Sequence, residues 1–211
     1  MKLLHVIGSM DPASGGPCQG IRNSNPELKL YGVEREAVSL DAPEAEFLGI
    51  DDFPTHALGP VTSAWKYSPK LLPWLVANMC YFDVVIINGL WLYSSYAVWR
   101  AAHLVKKRIA KGDTGLVMPR IFVMPHGMLD PYFQRARGRR LKAVRNWIYW
   151  HLVEKNIIKF AEAVLFTCQR ELQLARETFS DYHPKKEINV GYGIMKPPVF
   201  DIGMRDAFFK K

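Results

Sequence analysis

The chain has 211 residues, of which 49% are hydrophobic and 23% charged. That is a globular composition, long enough to bury one sizeable core. It contains no apolar run near the roughly 20 residues that span a bilayer, and its formal net charge of +8 points to an anionic partner such as phosphates, nucleotides or acidic lipid.

The N-terminus, KLLHVIG, has the apolar density of a central strand over Lys2–Gly8. It is too short for a signal-peptide core and no cleavage site follows it. Next comes SMDPASGGPCQG, a loop in which Gly15 and Gly16 allow close backbone approach or positive φ. Pro17 suits the first turn of a helix, whose free amides form an anion site. Glu34–Leu40 reads as the second strand and ends at Asp41. An acid there would fit a dinucleotide-binding fold, but G-x-G-x-x-G spacing is absent between Gly8 and Gly20, so a nicotinamide-dependent oxidoreductase is the weaker alternative.

A short strand is expected at Thr55–Leu58, and a helix over Ser68–Tyr81 with Pro73 as an early-turn or kinking residue. Asp83–Asn88 is the clearest central strand, followed by a ligand-edge loop, Gly89–Tyr93, and an amphipathic helix with a basic end at Lys106–Lys111. Ile121–Met124 forms the next buried strand, stopped by Pro125. His126 and Gly127 then fall just past its C-terminal end, the edge where open parallel sheets bind ligands. The stretch after it carries Arg135, Arg137, Arg139, Arg140, Lys142 and Arg145 without an acid, then Trp147 and Trp150 on an expected helix. Such a segment suits an anionic membrane surface. A solvated basic face over core tryptophans fits equally well, and RNA less well than either. Ala163–Thr167 and Ile188–Val190 complete the strands, with a helix over about Gln169–Thr178 between them. Strands alternating with helices predict an α/β fold, a doubly wound and mainly parallel Rossmann-like sheet. Cys18, Cys80 and Cys168 show no metal or redox spacing, so a reduced, cytoplasmic setting without metal is expected.

Taken together, GSMDPASGGP, DVVIINGLW, MPHGMLDP and VLFTCQRE make the chain resemble the N-terminal half of a GT-B glycosyltransferase of the retaining family 4 type. The likeness is greatest to enzymes that build bacterial capsular, exopolysaccharide or lipopolysaccharide chains. It implies an acceptor-side domain over residues 1–194, with 195–211 as a linker into a donor domain that the chain lacks. It further implies a nucleotide-sugar co-substrate without a cofactor, and a saccharide or lipid-linked acceptor. His126 would be the catalytic cleft histidine, with Gly15, Gly16 and Gly127 against phosphate, donor or acceptor, and Asn88, Trp91 and Tyr93 as cleft wall. Peripheral attachment to the cytoplasmic face of the membrane fits the basic segment. A chain of this kind would be inactive alone, or an acceptor-binding module that works with a separate donor domain.

Overall fold

Alternating side chains along Lys2–Val6 (β1) set the two layers of the molecule, because successive residues in a strand point to opposite faces. A computed structural model describes residues 1–194, 197 and 199–209. Its seven-stranded sheet also contains Glu34–Ser39 (β2), Thr55–Ala57 (β3), Val84–Asn88 (β4), Arg120–Met124 (β5), Ala163–Phe166 (β6) and Glu187–Asn189 (β7). The order is β3-β2-β1-β4-β5-β6-β7, and every pairing is parallel. This is the expected Rossmann-like α/β sheet. The strand order reverses between β1 and β4, so the crevice at their C-terminal ends is a topological switch point.

One face carries the main core. Leu4, Val6, Val38, Val85, Ile87, Ile121, Val123, Val164 and Phe166 pack there, against Leu71–Asn78 (α2), Tyr93–Ala110 (α3), and two later helices. Pro73 is the third residue of α2, where its missing N–H breaks no intrahelical bond, so the helix is not kinked there. The opposite face is covered over β1 and β2 by Gly16–Leu30 (α1) and the segment around Phe53, in a smaller cluster of Ile7, Met10, Cys18, Ile21 and Ala37.

After β5 the chain runs through Tyr132–Arg135 (α4), Arg140–Tyr149 (α5), a π-turn at Trp150–Glu154 and Lys155–Phe160 (α6). Gln169–Ala175 (α7) lies between β6 and β7. A last helix, Ile202–Phe209 (α8), has Ile202, Phe208 and Phe209 exposed. Of the segment expected as a linker, residues 195, 196, 198, 210 and 211 lie outside the described residues.

Candidate functional site

The turn after β5 is built around two consecutive residues at positive φ, His126 at 53° and Gly127 at 78°. Met128 N–H closes it on the Pro125 carbonyl at 3.2 Å. Histidine is one of the few non-glycine residues that tolerates this region. The turn leaves the imidazole partly buried, lining a cavity of about 500 Å3 together with Asn88, His5, Arg35 and residues of α1.

The tautomer of His126 follows from its neighbours. Asn88 ends β4, and its amide nitrogen faces the carbonyls of Ile86 at 3.1 Å and Val6 at 3.4 Å, as well as His5 Nδ1 at 3.1 Å. Carbonyls only accept, so the nitrogen must lie on that side and Asn88 Oδ1 must face His126. The 3.1 Å contact between His126 Nε2 and Asn88 Oδ1 is then donated by His126. Burial lowers the pKa of His126 to about 4, with Glu171 partly opposing, so the ring is neutral at pH 7. A neutral ring with its proton on Nε2 keeps Nδ1 as an acceptor. It can receive a hydroxyl hydrogen but has nothing left to donate to a phosphate oxygen. His5 is buried, and burial, followed by Arg35 and His126, holds its pKa well below the usual value.

The first loop is pinned from β2. Asp41 accepts from Ser9 Oγ at 2.6 Å and from Met10 N–H at 2.7 Å, so both carboxylate oxygens are occupied by protein. Asp41 thus has a structural task, holding the first loop against β2. Gly15 needs its glycine, because φ 91° with ψ −147° is essentially closed to other residues. Gly16 starts α1 and its carbonyl accepts from the Tyr192 hydroxyl. Neither lines the cavity, which begins on α1 at Pro17 and Gly20. Gly20 carries the close approach: a Cβ there would stand 2.7 Å from the Tyr192 ring.

Gly127 is corrected as a phosphate contact. Its N–H donates to Glu171 Oε1 at 2.7 Å, while Glu171 Oε2 accepts from Thr167 N and Oγ1 at 2.8 and 2.6 Å. A carboxylate already occupies the position an anion would need. The expected wall from Asn88 to Tyr93 divides as well. Asn88 stays in the His126 cavity, Trp91 lines a separate cavity with Trp65 and Tyr149, and Tyr93 is buried under Trp65 and Tyr67.

In the basic segment, Arg135 donates to the Glu177 carbonyl at 3.0 Å and Arg139 lies over the Phe133 ring at 4.8 Å. Arg137, Arg140, Lys142 and Arg145 are exposed, and none of the six cations forms an ion pair among the described residues. Trp147 is exposed, but Trp150 is wholly buried, stacked on Phe179 at 4.3 Å with its indole N–H on Asp181. Trp150 is a core residue and not part of any lipid-facing surface.

His5 and Arg35 were absent from the sequence-based site. For His5 the signal was a polar residue inside an otherwise apolar strand, KLLHV, whereas Arg35 lies between Glu34 and Glu36 and carried no such signal. Both are buried, with His5 Nε2 and Arg35 Nε lacking partners among the described residues. Among the described residues no group of three His, Cys, Asp or Glu is placed to hold a metal, and no helix is long and apolar enough to cross a membrane.

No protein-family model matches the chain, and no curated protein does. Among solved structures it is similar to an E. coli trehalose-6-phosphate protein solved with UDP-2-fluoro glucose bound. The two are 12% identical over 86% of this chain and 43% of that one, with a TM-score of 0.38. This chain thus spans less than half the length of that protein. At that identity and score the likeness bears no functional weight, and the fold rests on the strand order itself.

Proposed function

We propose that these residues form the acceptor-side half of a GT-B glycosyltransferase of the retaining family 4 type, acting in bacterial cell-surface polysaccharide synthesis. The observation that carries this reading is the neutral His126, held by Asn88 at the switch point with Nδ1 left to accept. A sugar hydroxyl is the natural partner for such a nitrogen at a sheet edge that binds ligands. A nucleotide-sugar is the co-substrate, without metal or organic cofactor. A second domain, in the same polypeptide or a separate one, holds its base and ribose, while the transferred sugar faces the His126 turn, so this half alone binds a nucleotide-sugar weakly. Departure of a nucleoside diphosphate builds charge that fixed dipoles and cations must meet. The N-terminal amides of α1 supply such dipoles on this side of the cleft.

The basic segment supports peripheral attachment to the cytoplasmic face of a membrane. On α5 and the following π-turn, Leu141, Val144, Ile148 and Leu152 are 89%, 58%, 47% and 71% exposed. Their spacing places an unpartnered apolar stripe beside the cations, the pattern of an interfacial helix.

Isotope-labelled protein titrated with UDP-, GDP- and ADP-sugars, and with NAD as a control, tests the site. Amide shifts concentrated at Gly15–Gly20 and His126–Met128 with one nucleotide-sugar, and none with NAD, are expected. An NAD response at Asp41, or no response to any nucleotide-sugar at the His126 turn, overturns the reading.

A further inference from the structure

The cavity around Trp91 differs in character from the one around His126. Trp65, Trp91 and Tyr149 wall a space of about 250 Å3, completed by Ala64, Arg145 and Asn146. Tyr149 stands edge-on to both indoles, with centroids 6.1 Å from Trp65 at 77° and 6.4 Å from Trp91 at 69°. Trp65 and Tyr149 use their polar atoms within the protein. Trp65 Nε1–H donates to the Tyr149 hydroxyl at 2.8 Å, and that hydroxyl donates to the Leu92 carbonyl at 3.3 Å. A ligand there meets ring surface, with Arg145 and Asn146 in the lining for hydrogen bonding.

Two further observations mark the cavity as built for a ligand. Trp91 sits at φ 66°, a region costly for a bulky side chain. It is held there by its N–H on the fully buried Glu154 at 2.7 Å. Trp65, which closes the opposite side, is still 37% exposed. At the mouth, the Arg145 guanidinium donates to the Asn146 amide oxygen at 2.9 and 3.3 Å and forms no ion pair among the described residues, and residues 131–153 contain no Asp or Glu.

Each candidate ligand meets this arrangement differently. A cationic ligand would suit the three rings but is repelled by Arg145. A nucleobase would stack, yet its edge donors and acceptors would meet ring carbon. A pyranose presents apolar C–H faces to the rings and polar groups at its rim, and a carboxylate on that rim pairs with a guanidinium in bidentate geometry.

We propose that this cavity is a subsite for an acidic saccharide, one uronic-type pyranose held against Trp65, Trp91 and Tyr149 with its carboxylate on Arg145. Its role as an acceptor subsite rests on the glycosyltransferase reading, whereas the binding itself rests on the cavity alone.

Calorimetric titration with an oligosaccharide containing glucuronic acid and with its neutral glucose counterpart tests the assignment. The acidic ligand should bind about tenfold tighter or more, as expected for a charge-assisted pair. Trp65→Ala should weaken both ligands about tenfold, Arg145→Gln should erase the preference for the acid while sparing the neutral ligand, and Trp147→Ala, on the same helix but outside the cavity, should change neither. Arg145 is exposed, so its variant keeps the test valid if Trp65→Ala folds poorly. Equal affinities, no binding of either saccharide, or binding indifferent to both Trp65→Ala and Arg145→Gln overturns the proposal. Saccharide binding without a nucleotide-sugar response at His126 counts against the glycosyltransferase reading alone, and the converse counts against this subsite alone.

Discussion

Three buried titratable groups near the cavities set how stability varies with pH, the histidines His126 and His5 in one direction and Glu154 in the other. His126 is held near pKa 4 against the usual 6.5, so its contribution is present above pH 6.5 and is lost as pH falls toward 4. Glu154 is the reverse case. Burial raises it to about 7 from 4.5, although the Ser95 hydroxyl and the Trp91 N–H both donate to its Oε1 at 2.7 Å. Its Oε2 is buried without a partner among the described residues, which accounts for the cost of ionising it. A carboxyl with a raised pKa gives stability that is full below pH 4.5 and is lost as pH rises through 7. The loss is on the order of 3 kcal/mol from the linkage relation. Between pH 4.5 and 6.5 the two histidines together outweigh Glu154, so wild-type stability should rise with pH there and then fall toward pH 8. In Glu154→Gln only the histidine side remains, so stability should rise from pH 4 to 6.5 and then hold level. Urea denaturation across that range checks it, and a variant profile parallel to wild type rejects the assignment. None of this was legible in the sequence. Glu154 is a single acid in an apolar helical stretch, and only the packing of the Trp91 loop against it gives it a role.

At the scale of the element, the helical run from Arg140 to Phe160 divides its residues between core and surface more sharply than its composition suggests. The tryptophans three residues apart, Trp147 and Trp150, end in different surroundings, the first exposed and the second wholly buried against Phe179 and Asp181. The partners that bury Trp150 are about 30 residues away in sequence, so sequence alone placed it with the surface cations. The cations themselves were legible, and so was the apolar content, but the exposure of Leu141, Val144, Ile148 and Leu152 became visible only with the packing. Each basic residue near an anionic bilayer contributes roughly 1 kcal/mol, and the apolar stripe adds burial in the interface. Sedimentation with vesicles should therefore show binding to anionic and not to zwitterionic lipid, weakened by salt. Replacing both Leu141 and Leu152 by Ser should reduce it severalfold without altering the fold, since both side chains are exposed. Equal recovery with the two lipids, or binding unaffected by the serine pair, rejects a membrane role for this helix.

For the whole molecule, all seven strands were expected to within a residue or two, β1, β4, β5 and β6 as apolar runs with a breaker after them, and the shorter or more polar β2, β3 and β7 on weaker signals. The order of the strands was not, because pairing depends on contacts distant in sequence. The unequal covering of the two sheet faces was equally hidden. Parallel strands buried on both sides read as continuous apolar runs, so VVIIN gives no hint that its alternate residues meet different surroundings. In the structure they do. Ile87 is completely buried in the main core, beneath α2 and α3, whereas its neighbour Ile86 is half-buried and lines the His126 cavity. The same substitution at adjacent positions thus measures the asymmetry directly. Ile87→Ala removes methyl groups from a close-packed region that can collapse only in part, which costs about 2–5 kcal/mol. Ile86→Ala removes the same groups from a wall already facing open space, so it deletes fewer contacts and creates no closed void. Its cost should be near 1 kcal/mol, the area term alone for a partly exposed side chain. Equilibrium urea unfolding of the two variants under one buffer condition decides the point. Equal losses at the two positions would mean that the second face is covered as fully as the first, and the cavity beside His126 would then have no room for a ligand.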